Sequence, residues 1–124
     1  KGDAVQQAAV CWRRRDAGVE VLLITSRDTG RWVIPKGWPI AGLAPGAAAA
    51  REAWEEAGVR GTASAQAIGQ YRYVKGLSRQ PDDGFPEAGQ RQRRWVCPVD
   101  AAAMVAEPDL SDLLAGFDPG AAAD

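Results

Sequence analysis

The sequence predicts a mixed α/β (α+β) domain, and three observations carry that expectation. Two apolar runs rich in β-branched residues, AAVCWR (8–13) and VEVLLITS (19–26), flank the turn-like Arg15-Asp16-Ala17-Gly18, as paired strands do. An alanine-rich stretch between Pro45 and Gly58 has proline where a helix opens and glycine where one closes. Strand-like and helix-like segments then follow in mixed order, so the two kinds of element share one core.

The elements follow in order. Ala8 to Arg13 and Val19 to Ser26 form a hairpin. RWVI, Arg31 to Ile34, is a third short strand stopped by Pro35, and PKGWPIAG after it, with two prolines and two glycines, reads as a loop. A helix runs from about Pro45 to Ala57, capped by Gly58. AIGQYRYV (67–74) and QRRWVCPV (92–99) are later strands. Asp100 is positioned to cap a short helix over Ala101 to Ala106, and Pro108 to open another over Asp109 to Ala115. The chain contains no internal repeat. One domain over residues 1–118 accounts for it, and the small-residue tail 119–124 is expected to fray.

Composition narrows the function. At 124 residues, 46% hydrophobic and 25% charged, the chain has enough apolar side chains for one core. Its 15 basic and 16 acidic residues nearly cancel, which argues against general nucleic-acid binding through bulk positive charge. No apolar run approaches the roughly 18 residues of a membrane span, and KGDAVQQAAV lacks a signal-peptide pattern. Cys11 and Cys97 lie far apart inside apolar runs, a spacing that suits neither zinc nor CxxC redox chemistry. They are read as two reduced, buried cysteines in a cytoplasmic protein, a disulfide being the lesser reading.

The helix carries the chemistry. At about 100° per residue, Glu52, Glu55 and Glu56 fall on one side, while Ala50, Ala53, Trp54 and Ala57 occupy the other. Ala48 and Ala49 are expected on the acidic side, where their size leaves room for a ligand. Carboxylates crowded this way repel and raise each other's pKa, a cost that a divalent cation reverses. Hard oxygen ligands suit Mg²⁺ or Mn²⁺, which bind through one or two carboxylates, waters and substrate phosphates. A solvated acidic face balanced by Arg51 is the bland alternative.

The segment Gly37 to Val59, GWPIAGLAPGAAAAREAWEEAGV, resembles the Nudix box, G-x5-E-x7-R-E-U-x-E-E-x-G-U with U aliphatic. Gly37, Arg51, Glu52, Ala53, Glu55, Glu56, Gly58 and Val59 fall in register. The flanks VEVLLITSR and RWVIPKG also look like the family. The resemblance implies an α/β/α sandwich around a mixed sheet, with a catalytic loop-helix-loop. It further implies Mg²⁺- or Mn²⁺-dependent hydrolysis of a pyrophosphate bond in a small-molecule substrate, by a monomer or homodimer. By position, Glu52 and Glu56 would ligate metal together with a backbone carbonyl at Lys36, with Glu55 beside them. Glu55 would also accept the proton of the attacking water, and Arg51 would orient the acidic cluster.

Two departures qualify the resemblance. Leu43 stands where the box has its first glutamate, which in relatives mainly pairs with the box arginine; weakened positioning of Arg51 is expected, not inactivity. The family also carries a long central strand between the segments matching YRYV and RRWV, yet Lys75 to Gln92 contains no β run. Either the strand is lost, or residues around Ser78 and Arg79 are missing from the sequence. The second is favoured because a lost strand bares two hydrogen-bonding edges. Asp82, Asp83 and Glu87 in this connection are read as solvated loop charges, with help to a metal or service as an auxiliary base as the lesser reading.

ITSRDTGRWVIPKGW is similar to the branch that includes the diphosphoinositol polyphosphate and diadenosine polyphosphate hydrolases. That likeness implies phosphate contacts from Thr25, Ser26 and Arg27, and Lys36 could also hold negative oxygens. Arg91 and Arg93, alternating toward the face of Trp95, add positive charge, with a solvent-facing strand edge as the alternative. Gln6 and Gln7 stand where the inositol branch has basic residues, which weakens that substrate assignment. Trp12, Trp54 and Trp95 are expected in the core, and Trp38 in the loop. Retention of Glu52, Glu55 and Glu56 favours a pyrophosphohydrolase over a Nudix-fold module that only binds a nucleotide or protein.

Overall fold

The computed structural model describes residues 6–16, 18–64, 67–76 and 84–118. Its strands are β1 (Gln7–Arg15), β2 (Gly18–Thr25), β3 (Trp32–Val33), β4 (Lys36–Gly37), β5 (Gly61–Ala63), β6 (Tyr71–Gly76) and β7 (Arg93–Val96). Its helices are α1 (Pro45–Ala57), α2 (Pro98–Met104) and α3 (Pro108–Ala115). One mixed sheet runs β3-β2-β1-β6-β5, with β4 also on β1 and β7 also on β2. The β1–β6 pair is parallel and the other strand pairs are antiparallel.

Alternation along the central hairpin divides the core between the two sheet faces. Ala8, Val10 and Trp12 of β1 and Val21 and Leu23 of β2 face a cluster closed by Ala101 of α2, Leu110 and Leu114 of α3, and Phe117. Ala9, Cys11, Leu22 and Ile24 face the other way, onto Ala49, Ala53 and Ala57 of α1. Helices therefore cover both faces, which makes the α/β/α sandwich.

Helix α1 begins at Pro45, after the extended Ala44, and ends at Gly58, whose φ of 72° is the left-handed conformation that a side chain resists. The Gly58 N–H donates to the Trp54 carbonyl at 3.0 Å. Its buried stripe is Ala48, Ala49, Ala53 and Ala57. Ala48 and Ala49 are thus core rather than members of an open acidic side, and Ala50 and Trp54 are only half-buried. Methyl-sized contacts let the helix axis lie close to the sheet, so the residues flanking the stripe are drawn in with it.

Several boundaries differ from the sequence expectation. The loop after Pro35 contributes a strand, Lys36–Gly37, because its backbone groups meet the start of β1, and the Ala9 N–H donates to the Pro35 carbonyl at 2.9 Å. The short β5 pairs with β6, although its residues carry no strand pattern. Strand β7 ends at Val96 because Pro98 opens α2, which leaves Asp100 in the first turn rather than at the cap. Cys97 is exposed, contrary to expectation, while Cys11 is buried; both are free. Burial pushes the Cys11 thiol up to about 12. Trp12 is core, Trp54 and Trp95 are half-buried, and Trp38 is exposed.

Strand β6 has β1 on one side and β5 on the other. Ser78, Arg79, Asp82 and Asp83 lie outside the described residues, as does the tail 119–124. Among the described residues no helix is long and apolar enough to cross a membrane.

Candidate active site

The site lies where the inward edge of α1 meets β4 and the end of β2. Glu52 and Glu56, one helical turn apart, flank the alanine stripe and are carried toward the sheet. The Glu56 side chain is only 12% exposed. Its Oε1 accepts the Lys36 backbone N–H at 3.3 Å, and its carboxyl is within hydrogen-bonding reach of the Glu52 side chain. Burial, then this contact with Glu52, pushes Glu56 up to about 8, against the pull of Arg91. Burial also raises Glu52, partly offset by the hydrogen bond with Glu56.

Gly37 has a specific reason to be glycine here. A Cβ added to it would overlap the Glu52 carboxylate, whose Oε1 would stand only 2.9 Å away. The missing side chain lets the carboxylate lie directly over the backbone of β4.

Glu55 points elsewhere. Its carboxylate accepts from Arg51 Nε at 3.0 Å across one turn, on the outer side of the helix. Arg51 therefore orients Glu55 rather than the pair as a whole. Leu43 is half-buried and offers no charge to compete for it.

A cleft of about 260 Å³ opens above Glu56, lined also by Ser26, Arg27, Lys36, Arg91 and Gln6. The sequence-predicted phosphate contacts Ser26, Arg27, Lys36 and Arg91 are thus brought together around Glu56, with Asp28 also in the lining. Thr25 is not among them. Its hydroxyl accepts the Gln92 N–H at 2.9 Å and its carbonyl accepts from Arg91 Nη1 at 3.0 Å, so it secures the chain that follows. Arg93 also turns away, with its guanidinium 5.1 Å from the centre of the Phe85 ring. Arg91 precedes β7 instead of alternating with Arg93 along it.

Glu87, read from sequence as a solvated loop charge, belongs to this site. It pairs with Arg91 at 3.0 Å, its backbone N–H donates to the Glu55 carbonyl at 3.0 Å, and it lies 3.9 Å from Arg27. The four-residue spacing to Arg91 was the available signal, but glycines and prolines around it made a one-turn contact hard to foresee.

Among the described residues, no three carboxylate or thiol groups converge as a ready-made metal cage. Glu52 and Glu56 converge as a pair, which is the protein share that a Mg²⁺-type ion ordinarily takes when waters and phosphates complete its shell. Two half-buried carboxyl groups side by side, one of them over a glycine, fit such an ion.

A family model described as the NUDIX domain matches residues 4–115. The rat diphosphoinositol polyphosphate phosphohydrolase 2 is 38% identical over 61 residues, 49% of this chain and 34% of that protein. The human diphosphoinositol polyphosphate phosphohydrolase 3-alpha is likewise 38% identical over 61 residues, 49% of this chain and 37% of that protein. The chain therefore matches only about a third of the length of these relatives. The C. elegans Ap4A hydrolase in a binary complex superposes with a TM-score of 0.66 at 23% identity, covering 89% of this chain and 92% of its own. The E. coli dihydroneopterin triphosphate pyrophosphohydrolase superposes with a TM-score of 0.65 at 16% identity, covering 90% and 92%. These superpositions speak for the fold, and the domain match over residues 4–115 shows that the chain belongs to the Nudix family.

Proposed function

We propose that the chain is a Mg²⁺- or Mn²⁺-dependent pyrophosphohydrolase. Its substrate would be a nucleoside diphosphate derivative, a dinucleoside polyphosphate or a diphosphoinositol polyphosphate. The observation that carries this reading is the half-buried Glu56 carboxyl, hydrogen-bonded to Glu52, in a cleft lined also by Arg27 and Lys36. Glu52 and Glu56, with a backbone carbonyl at Lys36, would hold the ion. When bound, the cation neutralises phosphate oxygens and acidifies water.

The chain's own residues do the rest. Arg27, 53% exposed, and Lys36 line the cleft and would grip phosphate oxygens entering it. For Glu55 to take the proton from the attacking water, its carboxylate would have to leave Arg51 and turn toward the Glu52–Glu56 pair. Uncharged Gln6 on the rim supports a substrate of moderate charge over a fully phosphorylated inositol. The partial likeness to diphosphoinositol polyphosphate phosphohydrolases keeps that substrate class in the set to be tried.

The test is a panel of ADP-ribose, dinucleoside polyphosphates, capped RNA, oxidised nucleoside triphosphates and diphosphoinositol polyphosphates, with Mg²⁺ or Mn²⁺, on wild type and Glu56→Gln. Wild type is expected to turn over at least one compound and to gain thermal stability from Mn²⁺; Glu56→Gln is expected to lose both. A wild type showing neither would overturn the reading. Stabilisation without turnover would favour a binding module.

A further inference from the structure

Arg27 and Arg91 border the same cleft, yet they stand in different situations. Arg27 is 53% exposed, with Nη1 donating to Gln90 Oε1 at 2.8 Å. The Arg91 side chain is 10% exposed, and the protein engages each of its guanidinium nitrogens. Nε donates to Glu87 at 3.0 Å, Nη1 to the Thr25 carbonyl at 3.0 Å, and Nη2 faces Glu87 at 3.0 Å and Glu56 at 3.7 Å. A planar fork fixed on three sides is suited to setting geometry. It has little donor capacity left for a phosphate.

The fork also joins three parts of the fold. Thr25 ends β2, Glu56 belongs to α1, and Glu87 sits in the turn between Gly84 and Gln92. That turn is fastened to α1 separately, by the Glu87 N–H on the Glu55 carbonyl and by Phe85, which packs edge-on against Trp54 with ring centres 6.1 Å apart.

We propose that Arg91 is a positioning residue for the cation site: anchored on the Thr25 carbonyl and on Glu87, it holds the Glu56 carboxylate in the orientation that an ion requires. This inference rests on the reading of Glu52 and Glu56 as metal ligands. It differs from the sequence expectation that Arg91 grips substrate. A positioning role predicts that loss of Arg91 is felt by the metal alone, before any substrate is present.

The experiment measures Mn²⁺ affinity by electron paramagnetic resonance of the unbound ion, with no substrate, on the whole chain. Arg91→Gln is expected to bind Mn²⁺ about tenfold more weakly, as when partners that orient metal ligands are removed. Arg91→Lys should not restore affinity, because an ammonium keeps the charge but not the fork. Glu87→Gln should weaken binding too, and combining it with Arg91→Gln should add little, since the pair acts as one unit. Arg94→Gln, an exposed neighbour on β7, serves as the control and should match wild type.

Unchanged Mn²⁺ affinity in Arg91→Gln, with a raised KM on a working substrate, would overturn the proposal and return Arg91 to substrate binding. If Arg91→Gln does not fold by circular dichroism, Arg91→Lys decides, and wild-type affinity there overturns the proposal equally. A wild type that binds no Mn²⁺ refutes the metal reading itself and this inference with it; a wild type that binds Mn²⁺ while both Arg91 variants match it refutes only the role of Arg91.

Discussion

Helix α1 brings Glu52 and Glu56 to the site by covalent spacing, four residues apart along the edge of an alanine stripe, whereas Glu87 and Arg91 arrive only because a turn docks onto that helix. The helical pair would stay adjacent in any setting that kept the helix intact. The turn has no such guarantee. Its place depends on Phe85, 6% exposed, on the hydrogen bond to the Glu55 carbonyl, and on the absence of a side chain at Gly58. Chemistry placed by local periodicity can be read from a motif, and chemistry placed by docking has to be found in three dimensions.

The docking half should break first. Phe85→Ala removes a buried ring from between Trp54 and Gly58 and is expected to cost about 3–5 kcal/mol, the usual range for a buried phenylalanine. Denaturant unfolding would measure it; a loss below about 1 kcal/mol would mean the turn is only lightly held. Gly58→Ala comes next. The left-handed φ alone costs about 1–2 kcal/mol, and the new Cβ would stand 2.6 Å from Phe85 Cδ1, so the turn must shift as well. A loss of Mn²⁺ affinity in this variant would show that the cap and the turn are coupled.

The helical half can be sharpened through its protons. Glu56 is raised from 4.5 to about 8, so the folded state holds a proton that the unfolded chain releases sooner. Without added divalent ions, that contribution to stability is complete below about pH 4.5 and is lost as pH rises through about 8. Melting temperatures in chelator should fall across this window, and Glu56→Gln should flatten the fall. A wild-type curve as flat as the variant's would mean that burial and the Glu52 contact do not raise Glu56 in the folded protein. The smallest effect is expected from Arg51→Gln, whose pair with Glu55 is largely exposed, with side chains 54% and 32% accessible. Such pairs contribute about 0.3–0.5 kcal/mol. A larger stability change would mean that Arg51 supports more than the orientation of Glu55.

The central hairpin and helix α1 were legible because the β-branched apolar runs of β1 and β2, and Pro45 with Gly58 around the helix, are local signals; the sandwich was implied by the likeness of residues 37–59 to the Nudix box. The acid pair was legible for the same reason, although the helical wheel misjudged which way it faced. Ala48 and Ala49 turned out to be core, and Glu52 and Glu56 border that core rather than opposing it. Small size was read as room for a ligand, when its effect is close approach to the sheet. Strands β4 and β5 had no signal of their own, since two or three residues pair wherever a neighbouring backbone presents its hydrogen-bonding groups.

The amino-acid order alone determined that three glutamates share a helix with a glycine cap, and that this helix follows a strand hairpin, because spacing along a chain is a covalent property. Only the tertiary structure decided which carboxylates meet. Glu56 turns inward to Lys36 and Arg91 while Glu55 turns outward to Arg51, and Glu87 joins the site from thirty-one residues beyond Glu56. The reason is physical: contacts between distant residues depend on how closely the helix and the turn pack, and no single segment encodes that distance.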